Sequence, residues 1–242
     1  MHVVERVELT PRMLRLTFEG DGLRELVAPE PASSIRLLVP SPGPSELVLP
    51  EWNGNEFLLP GGERPALRTF TPLRFDADSG RIEVEIVRHP GGAVSEWAET
   101  AAPGDEAAIS GPGRGWELDD SVRHLRLFGD ETALPAIGQI IELVADEVSI
   151  TADIEVEDAD AIVALPERPG LSDEWHVRYP AEPPGARLVA AASALADIAA
   201  DTHIWAAGEA ASMQAIRKHC FDVLGLARSQ TTIRGYWKPA RG

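Results

Sequence analysis

The sequence predicts a β-plus-α/β protein, in which a six-stranded antiparallel barrel precedes a domain built on a parallel sheet. In residues 1–115, short runs of alternating apolar and polar residues are separated by Gly and Pro clusters, a pattern typical of small antiparallel barrels. In residues 116–242, strand-type runs alternate with helix-type runs, which favours a parallel sheet covered by helices. The hydrophobic period changes from strand to helix spacing across Gly129, which marks one such junction.

The barrel strands are predicted where the alternating runs occur. Their ranges are 3–9, 13–18, 34–39, 66–71, 81–87 and 106–110. One helix is predicted in this half, over 94–101, and Pro103 and Gly104 end its pattern.

The second domain is predicted from five strand-type and three helix-type runs. The strands cover 123–128, 149–156, 174–178, 203–206 and 231–236, and the helices cover 133–145, 186–199 and 210–224. The boundary lies between 113 and 119, and it gives domains of residues 1–115 and 116–242. Because the strands and helices alternate, this domain is expected to be Rossmann-like.

Composition narrows the class of protein. The 242 residues are 44% hydrophobic and include a single cysteine, Cys220, which excludes an internal disulfide and a cysteine metal site. The six histidines show no metal-ligand spacing, so no metal site is predicted. A net charge of −17 argues against nucleic acid or an anionic membrane as partner. No apolar run is long enough to span a membrane and Met1 leads into polar sequence, so a cytoplasmic protein is expected.

The segment Arg68-Thr69-Phe70-Thr71 is the first candidate binding element. Alternation along the strand places Arg68 and Phe70 on one face and the two threonines on the other. An arginine can bind phosphate through two hydrogen bonds, and an aromatic ring can flank a flavin or an adenine. The alternative is an ordinary strand with one solvated arginine.

The second candidate is the segment His89-Pro90-Gly91-Gly92-Ala93-Val94-Ser95, which leads into the predicted helix. Its glycines let a ligand approach the backbone, and a helix start offers N–H groups to an anion. Ser95 is a candidate to cap the helix or to donate to phosphate. His89 is either a cofactor contact or a structural residue at a strand end.

Two strands of the second domain end in glycine turns before helices, at 129–132 and at 208–209. Both turns lie at carboxyl ends of parallel strands, where α/β proteins bind ligands. The acidic pair Asp130 and Glu131 suits a helix N-terminus but repels a phosphate, so Thr132 and the backbone are the expected contacts.

These segments together resemble the siderophore-interacting proteins, which are flavin-dependent ferric-siderophore reductases of the ferredoxin-reductase-like superfamily. The shared motifs are Arg-x-Phe-Thr, His with Gly-x-x-Ser, Gly-Asp-Glu-Thr-Ala-Leu-Pro-Ala, Ala-Gly-Glu-Ala and Gly-Tyr-Trp. Their order and spacing match from Val4 to Trp237, and the motif at 129–136 is the most specific of them.

The resemblance implies a barrel that binds FAD and an α/β domain that binds NADH or NADPH. The implied FAD-site residues are Arg68, Phe70, Thr71, His89, Gly92, Ala93, Val94 and Ser95. The implied nicotinamide-side residues are Asp130, Glu131, Thr132, Gly208, Glu209 and Trp237, and the candidates for substrate binding are Arg234 and Lys238. No side chain is expected to act as nucleophile or general acid.

The chain departs from the family pattern at several positions. Phe70 stands where tyrosine is typical, and Leu73 stands where an arginine usually precedes Arg74. Either FAD then binds more weakly, or Arg74 takes over the phosphate contact. The segment around Ser34 also lacks the usual basic residue, which puts the affinity for an anionic siderophore in question.

The implied reaction is NAD(P)H-dependent, FAD-mediated reduction of a ferric siderophore, with release of Fe(II) in the cytoplasm. Flavin links the two-electron chemistry of nicotinamide to one-electron reduction of iron. The alternatives are a flavin reductase serving another acceptor and a binding module that has lost FAD. NADH, NADPH and a reduced ferredoxin all remain possible donors, and Arg178, near the end of a central strand, is a candidate contact for a ribose 2′-phosphate.

Overall fold

A computed structural model of the chain describes residues 1–41, 46–113, 115–196 and 198–239. These residues form two compact units, Met1–Trp116 and Glu117–Gly242. The first unit ends one residue after the predicted boundary because Trp116 is buried in it and donates its backbone N–H to the carbonyl of Pro31.

The first unit is built from antiparallel strands. A four-stranded sheet has the order β1-β2-β8-β7, and a three-stranded sheet has the order β6-β3-β9. The strands of these sheets are β1 His2–Thr10, β2 Met13–Glu19, β3 Ile35–Val39, β6 Ala66–Phe70, β7 Pro72–Asp76, β8 Arg81–Val87 and β9 Ala108–Ser110. A separate hairpin pairs β4 Glu51–Trp52 with β5 Phe57–Leu58, and the helices are α1 Asp21–Arg24 and α2 Ala93–Thr100.

Both sheets of the first unit enclose one hydrophobic core. Alternate residues of β2 and β8 point inward, and Leu14, Leu16, Ile82 and Val84 are fully buried there. Helix α2 contributes Val94 and Ala98 to the same core, which fixes where its N-terminus lies.

The antiparallel class is confirmed, but the described residues form seven strands in the two sheets rather than six. The additional strand is β7, which Pro72 concealed because proline lacks the N–H that a central strand needs. It is tolerated here because β7 is an edge strand. A register shift between Leu73 and Asp76, with Arg74 at φ +42°, further interrupts the alternation that the sequence would show.

The second unit contains a five-stranded parallel sheet with the order β12-β11-β10-β13-β14, which confirms the Rossmann-like expectation. Its strands are β10 His124–Asp130, β11 Ser149–Val156, β12 Leu171–Val177, β13 Thr202–Glu209 and β14 Thr231–Trp237. Its helices are α3 Leu134–Leu143, α4 Ala186–Ser193 and α5 Ala210–Asp222, and a short 3-10 turn, Glu131–Ala133, links β10 to α3.

Helices cover both faces of the parallel sheet. Helices α4 and α5 pack on the face that carries Phe128, Ile204 and Ala206. Cys220 is buried in this cluster, so it is a thiol of the hydrophobic core. Helix α3 lies on the other face, where a Cβ on Gly129 would come within 2.7 Å of Ile137.

Several details of the second unit differ from prediction. Strands β10 and β13 continue through their glycines to Asp130 and Glu209, so these carboxylates stand on strand ends rather than in loops. Helix α4 stops at Ser193, and position 197 of the predicted helix lies outside the described residues. Strand β12 is the edge strand, so Arg178 follows an edge strand and not a central one, contrary to prediction.

Candidate functional site

The strand order reverses between β10 and β13, and this point organises the second unit's candidate site. Strand β10 is followed by α3 and β13 by α5, on opposite faces of the sheet, so the carboxyl ends of these strands frame a crevice. Asp130 ends β10 and Glu209 ends β13. Both predicted turns therefore meet at one place in the structure.

The Asp130 carboxylate is held inside the protein by donors of its own chain. One oxygen accepts from the Thr132 backbone N–H at 3.0 Å and from the Thr132 hydroxyl. The other accepts from the Glu209 backbone N–H at 3.0 Å and from the Trp237 indole N–H at 2.7 Å. Burial raises the pKa of Asp130, and the four donors oppose this by favouring the ionised form.

Glycine is required on β13 because Asp130 occupies the space beside it. Gly208 has a φ of +155°, and a Cβ built there would lie 2.6 Å from the Asp130 carboxylate. The backbone of β13 can therefore come close enough for Glu209 to donate to that carboxylate.

The neighbouring carboxylates also bind backbone groups. Glu209 accepts from the Ser212 N–H at 2.8 Å and so caps α5, while Glu131 accepts from the Glu157 N–H at 3.2 Å. These carboxylates thus accept from backbone N–H groups that a phosphate could otherwise bind. This agrees with the expectation that the acidic turn repels a phosphate.

The remaining predicted residues of this unit lie on β14 or just after it, except Thr132, which follows β10. Trp237 is half-buried at the end of β14 and bonded to Asp130, and Lys238 is exposed beyond it. Arg234 is half-buried, and its backbone is paired with Ala207 of β13. Thr132 is half-buried at the turn after β10.

In the first unit, Arg68 and Phe70 pair with Leu37 and Ile35 of β3. Arg68 is exposed and donates to the backbone carbonyl of Leu67 at 2.8 Å, whereas Phe70 packs against the core. Thr71 is buried immediately after the strand. This segment therefore offers an exposed guanidinium beside an anchored ring.

Arg74 already forms an ion pair within the protein. Its guanidinium lies 3.7 Å from the Glu83 carboxylate, which Arg15 also approaches at 3.4 Å. The side chain is 68% exposed, so it can leave this weak pair at little cost.

The loop before α2 is folded by its own serine and glutamate. The Ser95 hydroxyl accepts from the His89 backbone N–H at 2.9 Å, and the Glu96 carboxylate accepts from the Gly91 N–H at 2.9 Å. No side chain caps the helix at Gly92. The N–H groups of its first turn therefore have neither an intrahelical acceptor nor a capping side chain.

Space around the two loop glycines differs. A Cβ on Gly92 would lie 2.2 Å from the His89 imidazole, whereas nothing lies within 4 Å of one on Gly91. Val94 is buried in the core, so only its backbone is available to a ligand, and Ala93 packs beside it. An approach to the backbone from the Gly91 side is therefore open.

The loop before α2 and the segment from Arg68 to Thr71 together offer groups that fit the phosphate and ring of a dinucleotide. An uncapped helix start, an exposed arginine, a buried threonine and a partly buried phenylalanine provide anion and ring contacts. The Glu96 carboxylate is bonded to the Gly91 N–H in this loop, and its negative charge opposes a bound anion in part.

A residue that sequence reasoning missed is Glu155, on β11. Its two carboxylate oxygens accept from the N–H groups of Gly185 at 2.6 Å and Arg187 at 2.9 Å, so it caps α4 from a neighbouring strand. The signal available was the pair Asp153 and Glu155 in a strand that alternates with Ile150, Ala152, Ile154 and Val156, where buried carboxylates require partners.

One cluster of potential metal ligands occurs in the described parts of the chain, namely Asp153, Glu174 and His176. The imidazole Nε2 lies 2.9 Å from Asp153, and the Nδ1 lies 3.8 Å from Glu174. The two ring nitrogens face different carboxylates, an arrangement that suits hydrogen bonding rather than convergence on one cation.

Comparison with protein families decides the assignment. The model of the siderophore-interacting FAD-binding domain matches residues 2–116, and that of the siderophore-interacting protein matches residues 122–240. The chain belongs to the siderophore-interacting protein family. The family resemblance predicted from the sequence is therefore confirmed, and the chain's first unit matches a FAD-binding domain model.

Individual relatives cover nearly all of the chain. It is 28% identical over 244 residues to the mycobactin import ATP-binding/permease protein IrtA of Mycobacterium tuberculosis, of which it spans only about a quarter (26%). It is 25% identical to the ferric vibriobactin reductase ViuB of Vibrio cholerae, covering 97% of this chain and 87% of ViuB.

Among solved structures, the siderophore-interacting protein SipS of Aeromonas hydrophila is similar to this chain at a TM-score of 0.79 and 26% identity. The likeness covers 98% of this chain and 96% of SipS. No helix within the described residues is long and apolar enough to cross a bilayer.

Proposed function

We propose that this protein is an NAD(P)H-dependent, FAD-mediated ferric-siderophore reductase acting in the cytoplasm. The observation that carries the proposal is its family membership along both units, together with likeness over 97% of the chain to a ferric vibriobactin reductase. The fold supports it by pairing a flavin-binding type of domain with a parallel sheet of nucleotide-binding order.

FAD would be held in the first unit by its phosphates and its ring. Arg68 would supply a bidentate cation, and the α2 start, from Gly92 to Ser95, would supply backbone N–H groups. Phe70, Thr71 and His89 would flank or bond the ring system, and Arg74 would add a cation once it leaves Glu83. When bound, FAD supplies the conversion between two-electron and one-electron transfer.

In the second unit, Asp130 would act as a positioning residue for the nicotinamide site and would not contact the nicotinamide itself. Its carboxylate fixes the backbone at Thr132 and Glu209 and holds the Trp237 indole. These groups then present a rigid edge at the carboxyl ends of β10 and β13, with Glu131 and Gly208 beside them.

Arg234 and Lys238 would attract the anionic chelate. The chain carries a net charge of −17, so Arg234 on β14 and Lys238 just after it form a local exception that favours an anion. Ferric iron in such a chelate is the substrate. Hard oxygen ligands hold Fe(III) more strongly than Fe(II), so reduction promotes release.

The proposal is tested with purified protein incubated with FAD under anaerobic conditions. We expect bound flavin absorbance, bleaching of that absorbance by NADH or NADPH, and formation of Fe(II) from a ferric catecholate or hydroxamate, measured with a ferrous-specific chelator. Protein that binds no FAD would contradict the proposal and indicate a binding module. Bleaching without Fe(II) formation would point to another electron acceptor.

A matched pair of variants tests the FAD site. Arg68→Met should weaken FAD affinity about 10- to 100-fold, because one charge-assisted phosphate contact contributes about 1.5–3 kcal/mol. Arg64→Met, at a neighbouring arginine that is 81% exposed and paired with Glu56, should leave FAD affinity unchanged. Equal effects of the two substitutions would remove Arg68 from the site.

A further inference from the structure

The carboxyl ends of β11 and β12 carry two arginines that the reductase proposal has not used. Arg178 follows β12 directly, and Arg187 lies in the first turn of α4. An arginine at such a place can bind the 2′-phosphate that distinguishes NADPH from NADH, whereas an acidic residue can bind the ribose hydroxyls of NADH. The contacts of these two arginines therefore bear on the choice of coenzyme.

Arg178 is hydrogen-bonded to two groups of its own unit. Its guanidinium donates to the Glu157 carboxylate and to the Glu182 backbone carbonyl, the latter at 2.9 Å. The arginine side chain is only 15% exposed, whereas that of Glu157 is 41% exposed. The carboxylate, rather than the cation, is the more accessible member of this pair.

Arg187 is committed in the same way. Its Nε donates to the Glu182 carboxylate at 2.8 Å, and its guanidinium lies 4.2 Å from the centroid of the Tyr179 ring. A 2′-phosphate would have to separate this arginine from Glu182 and would leave that carboxylate beside a new dianion.

The N-terminus of α4 offers no alternative anion site. Glu155 is buried and accepts from the Gly185 and Arg187 N–H groups, so a carboxylate of the chain already occupies the helix start. Asp158 and Asp160 add two further negative charges just beyond β11. Carboxylates outnumber the two arginines in this region, and the local potential disfavours a phosphate dianion.

We propose that Glu157 accepts hydrogen bonds from the adenosine ribose hydroxyls and that the protein takes NADH in preference to NADPH. This inference rests on the reductase function proposed above and names its electron donor. Glu157 follows the second strand of a sheet ordered 3-2-1-4-5, counted along the unit, which is where such an acidic residue reads a ribose. Arg178 acts as the positioning residue, because its ion pair holds the Glu157 carboxylate in place.

Direct binding to the full chain tests this inference independently of electron transfer. The probes are ADP-ribose and 2′-phospho-ADP-ribose, titrated by calorimetry. We expect ADP-ribose to bind at least about tenfold more tightly. Glu157→Gln should reduce that ratio severalfold, since it weakens the ribose contact and removes one charge that repels the phosphate. Equal or tighter binding of the phosphorylated probe, or no binding of either, would overturn the inference.

The control removes one charge at the opposite end of the same strand. Glu147 is exposed and precedes β11, so Glu147→Gln should leave the binding ratio unchanged. If it lowered the ratio as much as Glu157→Gln does, the effect would be one of net charge and the assignment of Glu157 would fail.

Flavin reduction separates this inference from the proposed function. Bleaching of bound FAD by NADPH as fast as by NADH would overturn the coenzyme preference and leave the reductase function intact. Tight binding of ADP-ribose with no bleaching by either coenzyme would overturn NAD(P)H as donor, while the binding preference at Glu157 would stand.

Discussion

Asp130 is the residue on which the second unit's candidate site depends. The sequence places it after a glycine at a strand end and so predicts a ligand site there. It does not predict that the carboxylate faces inward, because the indole of Trp237 comes from a strand 107 positions away. Pairings over such distances along the chain depend on sheet order, which local periodicity does not contain.

Gly208 offers a sharp test of how tightly Asp130 is packed. Gly208→Ala should lower the free energy of unfolding by about 1–3 kcal/mol, because the new Cβ would meet the Asp130 carboxylate and the φ of +155° strains an alanine. Gly138→Ala is the matched control, since nothing lies within 4 Å of a Cβ there. As a helix-interior position of α3, it should instead gain about 0.5–1 kcal/mol. Denaturant titration of both variants measures the difference, and a loss at both positions would contradict this reading of Gly208.

His203 should make stability depend on pH. Burial lowers the pKa of this imidazole, which lies on β13 with a ring nitrogen 3.1 Å from the Thr232 hydroxyl. Below the ordinary histidine pKa of about 6.5, the unfolded chain binds a proton that the folded chain resists. Stability should therefore fall as the pH drops below that value.

The measurement is denaturant unfolding at a series of pH values between neutral and mildly acidic. His203→Gln should flatten the decline relative to the parent protein, whatever its effect on stability at neutral pH. His124→Gln removes an imidazole that is 52% exposed and serves as the control. An unchanged slope in His203→Gln would show that other groups cause the acid sensitivity.

At the scale of elements, helix α3 depends on an arginine far outside it. No basic residue lies in its last turn. Instead, the Arg168 guanidinium donates to four backbone carbonyls, those of Ile141, Val144, Ala145 and Val148, at 2.6–3.2 Å. Ile141 lies in the last turn and Val144 is the C-cap, so Arg168 satisfies carbonyls that the helix end leaves without partners. The same guanidinium also holds the loop that leads from α3 to β11.

Arg168→Met should lower the free energy of unfolding by about 2–4 kcal/mol, because several partly buried carbonyls would lose charge-assisted donors while the apolar stem is kept. Arg168 has a side chain that is 6% exposed, in contrast to Arg64 at 81%. Arg64→Met should change stability by no more than about 0.5 kcal/mol, as surface substitutions usually do. Thermal and denaturant unfolding of the two variants would show whether the carbonyl contacts matter; equal stability of both would refute this role.

The element-scale predictions from sequence succeeded where one face of a strand or helix is buried. Strand β8 matches its predicted range of 81–87, because Ile82, Val84 and Ile86 alternate strictly with polar residues. Strand β12 was predicted to begin at 174, whereas it begins at Leu171. It is an exposed edge strand, so its first residues carry no burial pattern that periodicity could detect.

At the scale of the whole molecule, each unit has its own hydrophobic core. The first core gathers inward residues of both antiparallel sheets, and the second joins α4 and α5 to the parallel sheet. The division is visible in the sequence as a change of hydrophobic pattern near residue 116. Antiparallel hairpins and alternating strands and helices have different hydrophobic periods. The bound cofactors, in contrast, could be predicted only from the family motifs, because hydrophobic periodicity does not identify a ligand.

A fragment covering residues 117–242 should therefore fold by itself. It contains every strand of the parallel sheet and the bonds among Asp130, Glu209 and Trp237. We expect mixed helix and strand circular dichroism and a cooperative unfolding transition. A fragment covering residues 133–242, which omits β10 and Asp130, is the negative control because it removes the middle strand of the sheet. A non-cooperative transition in the longer fragment would contradict independent folding.

The indole N–H of Trp237, at the end of β14, is one of the four donors to the Asp130 carboxylate, which lies on the first strand of the second unit. Truncation before this tryptophan would remove one donor of the buried Asp130 carboxylate while the sheet itself persists. Samples truncated before Trp237 during purification should thus keep their secondary structure and lose ligand affinity. Intact mass is consequently the first quantity to determine before any preparation is judged inactive.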